Sequence, residues 1–214
     1  FQKHYPFCWN YLNAHKKQLE RRSINGDDPK WYQFGRSQSL TRFHNTPKLI
    51  WHVLSTKPTY VYDEMNLQFT GGGNGPYYGL LNQSDYSILY FMGILAHPLF
   101  ESMVKAGASE FRGAYYSHGK QFIENIPIRG IDNEHTHDVK LYKKVVKTVK
   151  NIISANQQYN SAYGTKRTVL HRKLDMLNNI LIEAVNRLYG ISRADFETVL
   201  HDEMFTSELS TKEQ

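Results

Sequence analysis

The chain has 214 residues, 40% of them hydrophobic, with a formal net charge of +6 and a single cysteine, a size suited to one ordinary domain with a real core or to a domain with a helical appendage. One thiol excludes an internal disulfide and a multi-cysteine zinc site; in its aromatic-rich, helix-compatible surroundings Cys8 reads as a small buried residue. No run approaches the roughly 18 apolar residues of a membrane helix, and "FQKHYPFCWNYL" lacks the charge order and cleavage site of a signal peptide, so the expectation is a cytoplasmic protein without a membrane partner.

In chain order, "YPFCWNYLNAHKKQLERR" (5–22) predicts a helix with Leu12, Leu19 and aromatics on one face and Lys16, Lys17, Arg21 and Arg22 on the other. "NGDDP" (25–29) ends it, because Asn-Gly and Asp-Pro favour turns. After the polar link "WYQFGRSQSLTRFHNTP", the short aromatic and β-branched runs "KLIWHVL" (48–54), "TYVYD" (59–63), "NLQFT" (66–70) and "YYGLLN" (77–82) predict strands. "DYSILYFMGILAHPLFESMVKA" is apolar almost all round and too long for a strand. It predicts a buried helix capped by Ser84 or Asp85 and interrupted near Pro98. "EFRGAYYS" and "QFIENIPIRG" return to strand-like composition, with Pro127 at an edge or exit.

From Glu134 the period changes. Val139, Tyr142, Val146, Val149 and Ile153 form one a/d seam, and Leu170, Leu174, Leu177, Leu181, Ala184 and Leu188 form another. Two helices of about twenty to twenty-five residues, joined near "QQYNSAYGT", are expected to pack as an antiparallel hairpin, each supplying the other's apolar partner. Gly190 ends the second helix and Ser192 caps a short third one, "RADFETVL". The expected fold class is α+β: a compact domain over 1–132 with a small mixed or antiparallel sheet and a buried helix, then a helical hairpin and C-terminal helix over 133–214.

Charge is unevenly spread. Residues 1–50 hold nine Lys/Arg against three Asp/Glu, and residues 140–173 hold nine against none. Two basic blocks flanking an aromatic middle suggest a polyanion partner, since neutralising phosphates releases counterions; solvated helix faces are the alternative. The glycine loop "TGGGNGPYYGL" lacks the Gly-Lys-Ser/Thr end of a phosphate-binding loop and leads into a strand, so Gly71, Gly72, Gly73 and Gly75 read as a hairpin-type connection or a close backbone approach to a ligand. "EHTHD" (134–138) reads as a helix start, with a metal site on a strand as the alternative. Ser117-His118 has neither a nucleophile elbow nor an evident third group, and no other catalytic pattern stands out. "FRGAYYSHGKQFIENIPI" gathers Tyr115, Tyr116, Ser117, His118, Lys120 and Gln121 around Gly119, groups that can contact phosphates or base edges. Its alternative is a strand-turn pair with tyrosines in the core.

"WYQFGRSQSL", "PKLIW", "TGGGNGPYYGL", "FRGAYYSHGKQFIENIPI" and "LYGIS" stand in an order that resembles the C-terminal specificity region of type IIG restriction-modification enzymes and TaqI-like adenine-N6 DNA methyltransferases, over about residues 5–200. The resemblance implies a target recognition domain that reads double-stranded DNA, followed by helices acting as a spacer and packing arm. It implies a partner catalytic domain of the same polypeptide that binds S-adenosylmethionine and flips adenine into an Asn/Asp-Pro-Pro-Tyr/Phe pocket, with or without endonuclease activity. This sequence has no Asn-Pro-Pro-Tyr, no cofactor glycine motif and no nuclease motif. The expectation is therefore a non-catalytic fragment of a longer enzyme that holds no cofactor itself.

On that reading Arg36, Ser37, Gln38, Ser39 and Arg42 lie in a shared link near phosphate backbone. Asn74, Tyr77 and Tyr78 belong to the glycine-loop motif, and Tyr115, Tyr116, Ser117, His118, Lys120 and Gln121 lie near the groove. Two alternatives stay open: a chain that completes a methyltransferase site in trans, and a helical-hairpin protein interaction module.

Overall fold

The computed structural model describes residues 1–35, 42–57, 59–69, 76–111 and 113–200. Within these the chain forms two compact units, 1–42 and 43 onward. In the first unit the helix expected over 5–22 is broken into α1 (Pro6–Ala14) and α2 (Lys16–Leu19). His15 bends with φ −104°, and its N–H bonds Leu12. Neither helix buries a residue, so Cys8 is exposed, not buried as its surroundings suggested. Ring stacking holds this unit instead. Phe1 stacks on Tyr32 at 5.3 Å, Trp9 meets Trp31 at 5.4 Å, and the Arg22 guanidinium donates to the carbonyls of Trp31 and Gln33.

The second unit is α+β. Strands β1 (Lys48–His52) and β2 (Leu54–Ser55) come from the single predicted run "KLIWHVL", which bends at Val53 and enters two different sheets. In the first sheet, β1 lies between β3 (Val61–Asp63) and β4 (Tyr77–Leu81), antiparallel to both, with Ile50 opposite Val61 on one side and Gly79 on the other. In the second, β6 (Tyr115–Ser117) lies between β2 and β5 (Glu110–Phe111). "NLQF" is not a strand. Asp63 accepts hydrogen bonds from the Met65 and Leu67 N–H groups and Asn66 adopts φ 60°, so the backbone curls where the composition predicted extension.

Helix α3 (Ile88–Leu95) is capped by Ser87, which accepts the Leu89 N–H; Ser84, a predicted cap, is instead tied to Asn82. The interruption near Pro98 is real: α4 (Pro98–Gly107) starts there, capped by the His97 ring. "QFIENIPIRG" is no strand either. It forms one turn, α5 (Lys120–Ile123), and then a strap whose backbone bonds to tyrosine hydroxyls in place of a ladder. Tyr189 takes the Pro127 carbonyl and the Arg129 N–H, Tyr90 the Arg129 carbonyl, and Tyr86 the Ile131 N–H.

Helices α6 (Thr136–Asn160) and α7 (Gly164–Tyr189) form the expected hairpin. Gly190 adopts the left-handed φ of 69° after α7, and Ser192 caps a helical run over 193–200 by accepting the Asp195 N–H. Of the expected α7 seam, Leu170, Leu177, Leu181, Ala184 and Leu188 are buried, and Leu174 is half-buried. On α6 the buried residues are Leu141, Val145, Thr148, Val149 and Ala155, of which only Val149 belongs to the predicted seam, because α6 packs against α3 as well as α7. One core therefore runs from Leu49 and Trp51 through Tyr90 and Ile94 to Val145 and Leu181, across the junction between sheets and hairpin.

Elements of that core approach one another closely at Gly93 of α3. A Cβ there would stand 2.6 Å from Val145 Cγ1 and 3.1 Å from Val149 Cγ2. Gly93→Val is accordingly expected to cost at least about 1–3 kcal/mol of unfolding free energy through overpacking. Gly93→Ala costs less, since its gain of about 1 kcal/mol in helix propensity opposes the clash. A urea midpoint for Gly93→Val equal to that of the parent chain would show that the three helices do not meet at this glycine.

Candidate nucleic-acid interface

The cluster predicted around Gly119 is built on strand β6. Gly113 (φ 84°) and Ala114 (φ 59°) turn the chain from β5 into β6, which pairs Tyr116 with Ser55 and Ser117 with Leu54. Alternation along β6 separates Tyr116 from its neighbours. The Tyr116 ring lies 5.7 Å from the Lys105 ammonium, and its hydroxyl donates to Glu110, whereas Tyr115 is 45% exposed. Ser117 is half-buried.

His118 is wholly buried. Its Nε2 lies 3.0 and 3.1 Å from the two oxygens of Glu101, and its Nδ1 lies 3.2 Å from both the Ser55 hydroxyl and the Tyr116 carbonyl. Its N–H donates to the Val53 carbonyl, and its own carbonyl accepts the Trp51 indole N–H at 2.8 Å. The sequence offers no evident third group for His118; the structure supplies Glu101 and Ser55, 17 and 63 residues away. With no solvent-accessible surface, the ring does not contact a ligand in this fold. It acts as a knot that fixes the residues on either side.

Beyond the knot, Lys120 and Gln121 are exposed. Gly119 permits this turn: a Cβ there would stand 2.8 Å from the Gln121 amide oxygen. Lys120 pairs with Glu124 at 3.5 Å, a solvent-exposed pairing that leaves the ammonium available.

Val53 joins this cluster to the glycine-loop motif. Its N–H donates to the Pro76 carbonyl at the start of β4, while its carbonyl accepts the His118 N–H. Tyr77, the next residue after Pro76, packs on the exposed His52 ring at 4.6 Å. Tyr78 turns to the other face of the sheet and stacks on buried Trp51, half-buried against the core. Arg42 is exposed at the end of the first unit. Arg36, Ser37, Gln38, Ser39, Asn74 and the loop glycines Gly71, Gly72, Gly73 and Gly75 lie outside the described residues.

"EHTHD" begins α6: the Asp132 carboxylate takes the Glu134 N–H and pairs with the His135 ring at 2.8 Å, and that pairing raises the His135 pKa. Among the described residues no group of three His, Cys, Asp or Glu is placed to hold a metal, and no helix is long and apolar enough to cross a membrane. No family model matches the chain, and no curated protein matches it.

Proposed function

We propose that this chain is a sequence-specific double-stranded DNA recognition module that works beside an adenine-N6 methyltransferase domain, the domain that would bind S-adenosylmethionine. The observation that carries the reading is the convergence at Val53: two motifs forty residues apart, the exit of the glycine loop and the Tyr115–Gln121 cluster, are hydrogen-bonded to opposite sides of one residue. Base reading needs side chains held in place before DNA arrives, and the His118 knot provides a stiff base for Tyr115, Lys120 and Gln121. A glutamine amide can bond adenine N6 and N7 together, and a lysine ammonium suits phosphate or guanine.

Selection of the chain against a randomised duplex pool, followed by sequencing, tests this. An enriched motif is expected. Gln121→Ala should relax one position of it, at a cost of about 1–3 kcal/mol on the correct site, while Lys120→Ala, if it removes a phosphate partner, weakens all sequences alike. A retained pool with no enrichment, or a motif unchanged in both Gln121→Ala and Tyr115→Ala, would remove the assignment of this surface.

A further inference from the structure

We infer that the outer face of α6 is a clamp for the phosphate backbone of duplex DNA, separate from the reading cluster. The inference rests on the reading above for the identity of the partner. Lys140, Lys143, Lys144, Lys147 and Lys150 recur at helical spacing, so they share one side of α6, and all five are exposed. They extend over about 15 Å at 1.5 Å per residue. Facing a duplex that carries one charge per roughly 1.7 Å, such a stripe can meet several phosphates at once.

None of the five lysines forms a salt bridge among the described residues. The nearest acid on α6, Asp138, is engaged by Arg129 at 3.0 Å. Like charges three and four apart repel, so the stripe weakens the helix that carries it, a local cost that an external polyanion would reverse. At the far end of the hairpin Lys166, Arg167, Arg172 and Lys173 are exposed too, and no carboxylate occurs from 140 to 173. The positive field therefore continues past the last lysine of α6.

The composition of the face selects the kind of polyanion. Beyond Lys150 the same side presents Asn151, Ser154 and Gln158, all exposed and polar. Between Lys140 and Gln158 this side of α6 presents no exposed aromatic ring on which single-stranded bases would stack and no exposed apolar side chain to enter a lipid surface; the exposed Tyr163 and Val169 lie past the end of α6. Ammonium groups on flexible stems bind phosphates as point charges and read no sequence. The hairpin would then hold the duplex in register while the Val53 region reads it.

The test is the salt dependence of binding to a random-sequence duplex of about 30 base pairs, by fluorescence anisotropy, for the full chain and for Lys143→Gln/Lys147→Gln/Lys150→Gln. Glutamine removes the charge and keeps helix propensity. The log–log slope should fall by about 0.9 for each phosphate no longer neutralised, and affinity near 0.1 M salt by on the order of a hundredfold, equally on cognate and non-cognate sequences. If the triple variant does not fold, Lys143→Gln and Lys147→Gln singly are each expected to lower the slope by about 0.9. An unchanged slope in variants that still bind and select duplex would overturn the clamp and leave the recognition reading intact. Failure of the parent chain to bind duplex at any salt would remove both, and preference for a single-stranded oligonucleotide or for anionic vesicles would replace the clamp by another surface.

Discussion

Replacing Asp63 by alanine is expected to lower the unfolding free energy by about 3–5 kcal/mol, because it strands a buried cation. Lys48 and Asp63 are cross-strand partners on β1 and β3, with Nζ 2.6 Å from Oδ2 and side chains 0% and 1% exposed. They lie on the sheet face opposite Leu49 and Trp51, the face on which the Phe43 and Phe69 rings pack over Gly79. Without the carboxylate, the Lys48 ammonium keeps only the Thr46 carbonyl at 3.4 Å. Two backbone donors, Met65 and Leu67, lose their acceptor as well, so the turn that covers the pair loosens. Lys48→Met should cost less, since the carboxylate retains those two N–H groups and methionine fills much of the space. A double-mutant cycle of Lys48→Met, Asp63→Ala and the combined Lys48→Met/Asp63→Ala, measured by urea denaturation, isolates the pair. A loss below about 1 kcal/mol for Asp63→Ala would mean that water reaches the ammonium.

The same pair sets an acid limit. Burial pushes the Asp63 carboxyl upward, but hydrogen bonds from Lys48, Met65 and Leu67 and the charge of Lys48 outweigh it and hold the group below its ordinary value. Its folded pKa is lower than its unfolded one. The contribution is therefore complete above about pH 3.9 and disappears as pH falls through the folded value.

A second loss is expected at milder acidity. Burial lowers the His97 pKa to about 4, against the opposing pull of the Asn186 side chain and the Ile182 backbone. The ring is 1% exposed, sits against Phe100 and Phe196, and accepts the Leu99 N–H through Nδ1, so the neutral form carries its proton on Nε2. Nε2 and the nearby Asn186 Oδ1 are both buried without a hydrogen bond. The unfolded chain takes up a proton near pH 6.5 and the folded chain only near 4, so stability falls between those values, by about 3 kcal/mol from this group. His97→Asn should remove that slope while keeping the cap of α4, because asparagine accepts from the same backbone position. Urea titrations at pH 7, 5.5 and 4 compare the two; parallel losses would show that His97 does not titrate in the core.

The elements that local pattern announced are those whose determinants lie within a few residues. The α7 seam, the glycine that ends it, the Ser192 cap and the strand character of β1, β3, β4 and β6 follow from side-chain period and terminal chemistry. Two outcomes depended on atoms far along the chain, and a third on a nearby carboxylate held in place by a distant lysine. "NLQF" is curled by the Asp63 carboxylate, which is itself held by Lys48; the 126–131 strap is claimed by hydroxyls of Tyr86, Tyr90 and Tyr189; and α6 buries a second ridge because α3, with Gly93 at the crossing, packs on it.

The candidate site divides in the same way. Composition marked Tyr115–Gln121 as a dense polar and aromatic cluster, but it could not sort the buried His118 from the exposed Lys120 and Gln121, or place Val53 between that cluster and Pro76. Period and capping act over one or two turns of backbone and are written in neighbouring residues. Which donor meets which acceptor across 17 or 63 residues is decided only when the core closes, because burial then makes each unpaired polar group costly and leaves few arrangements that satisfy them all.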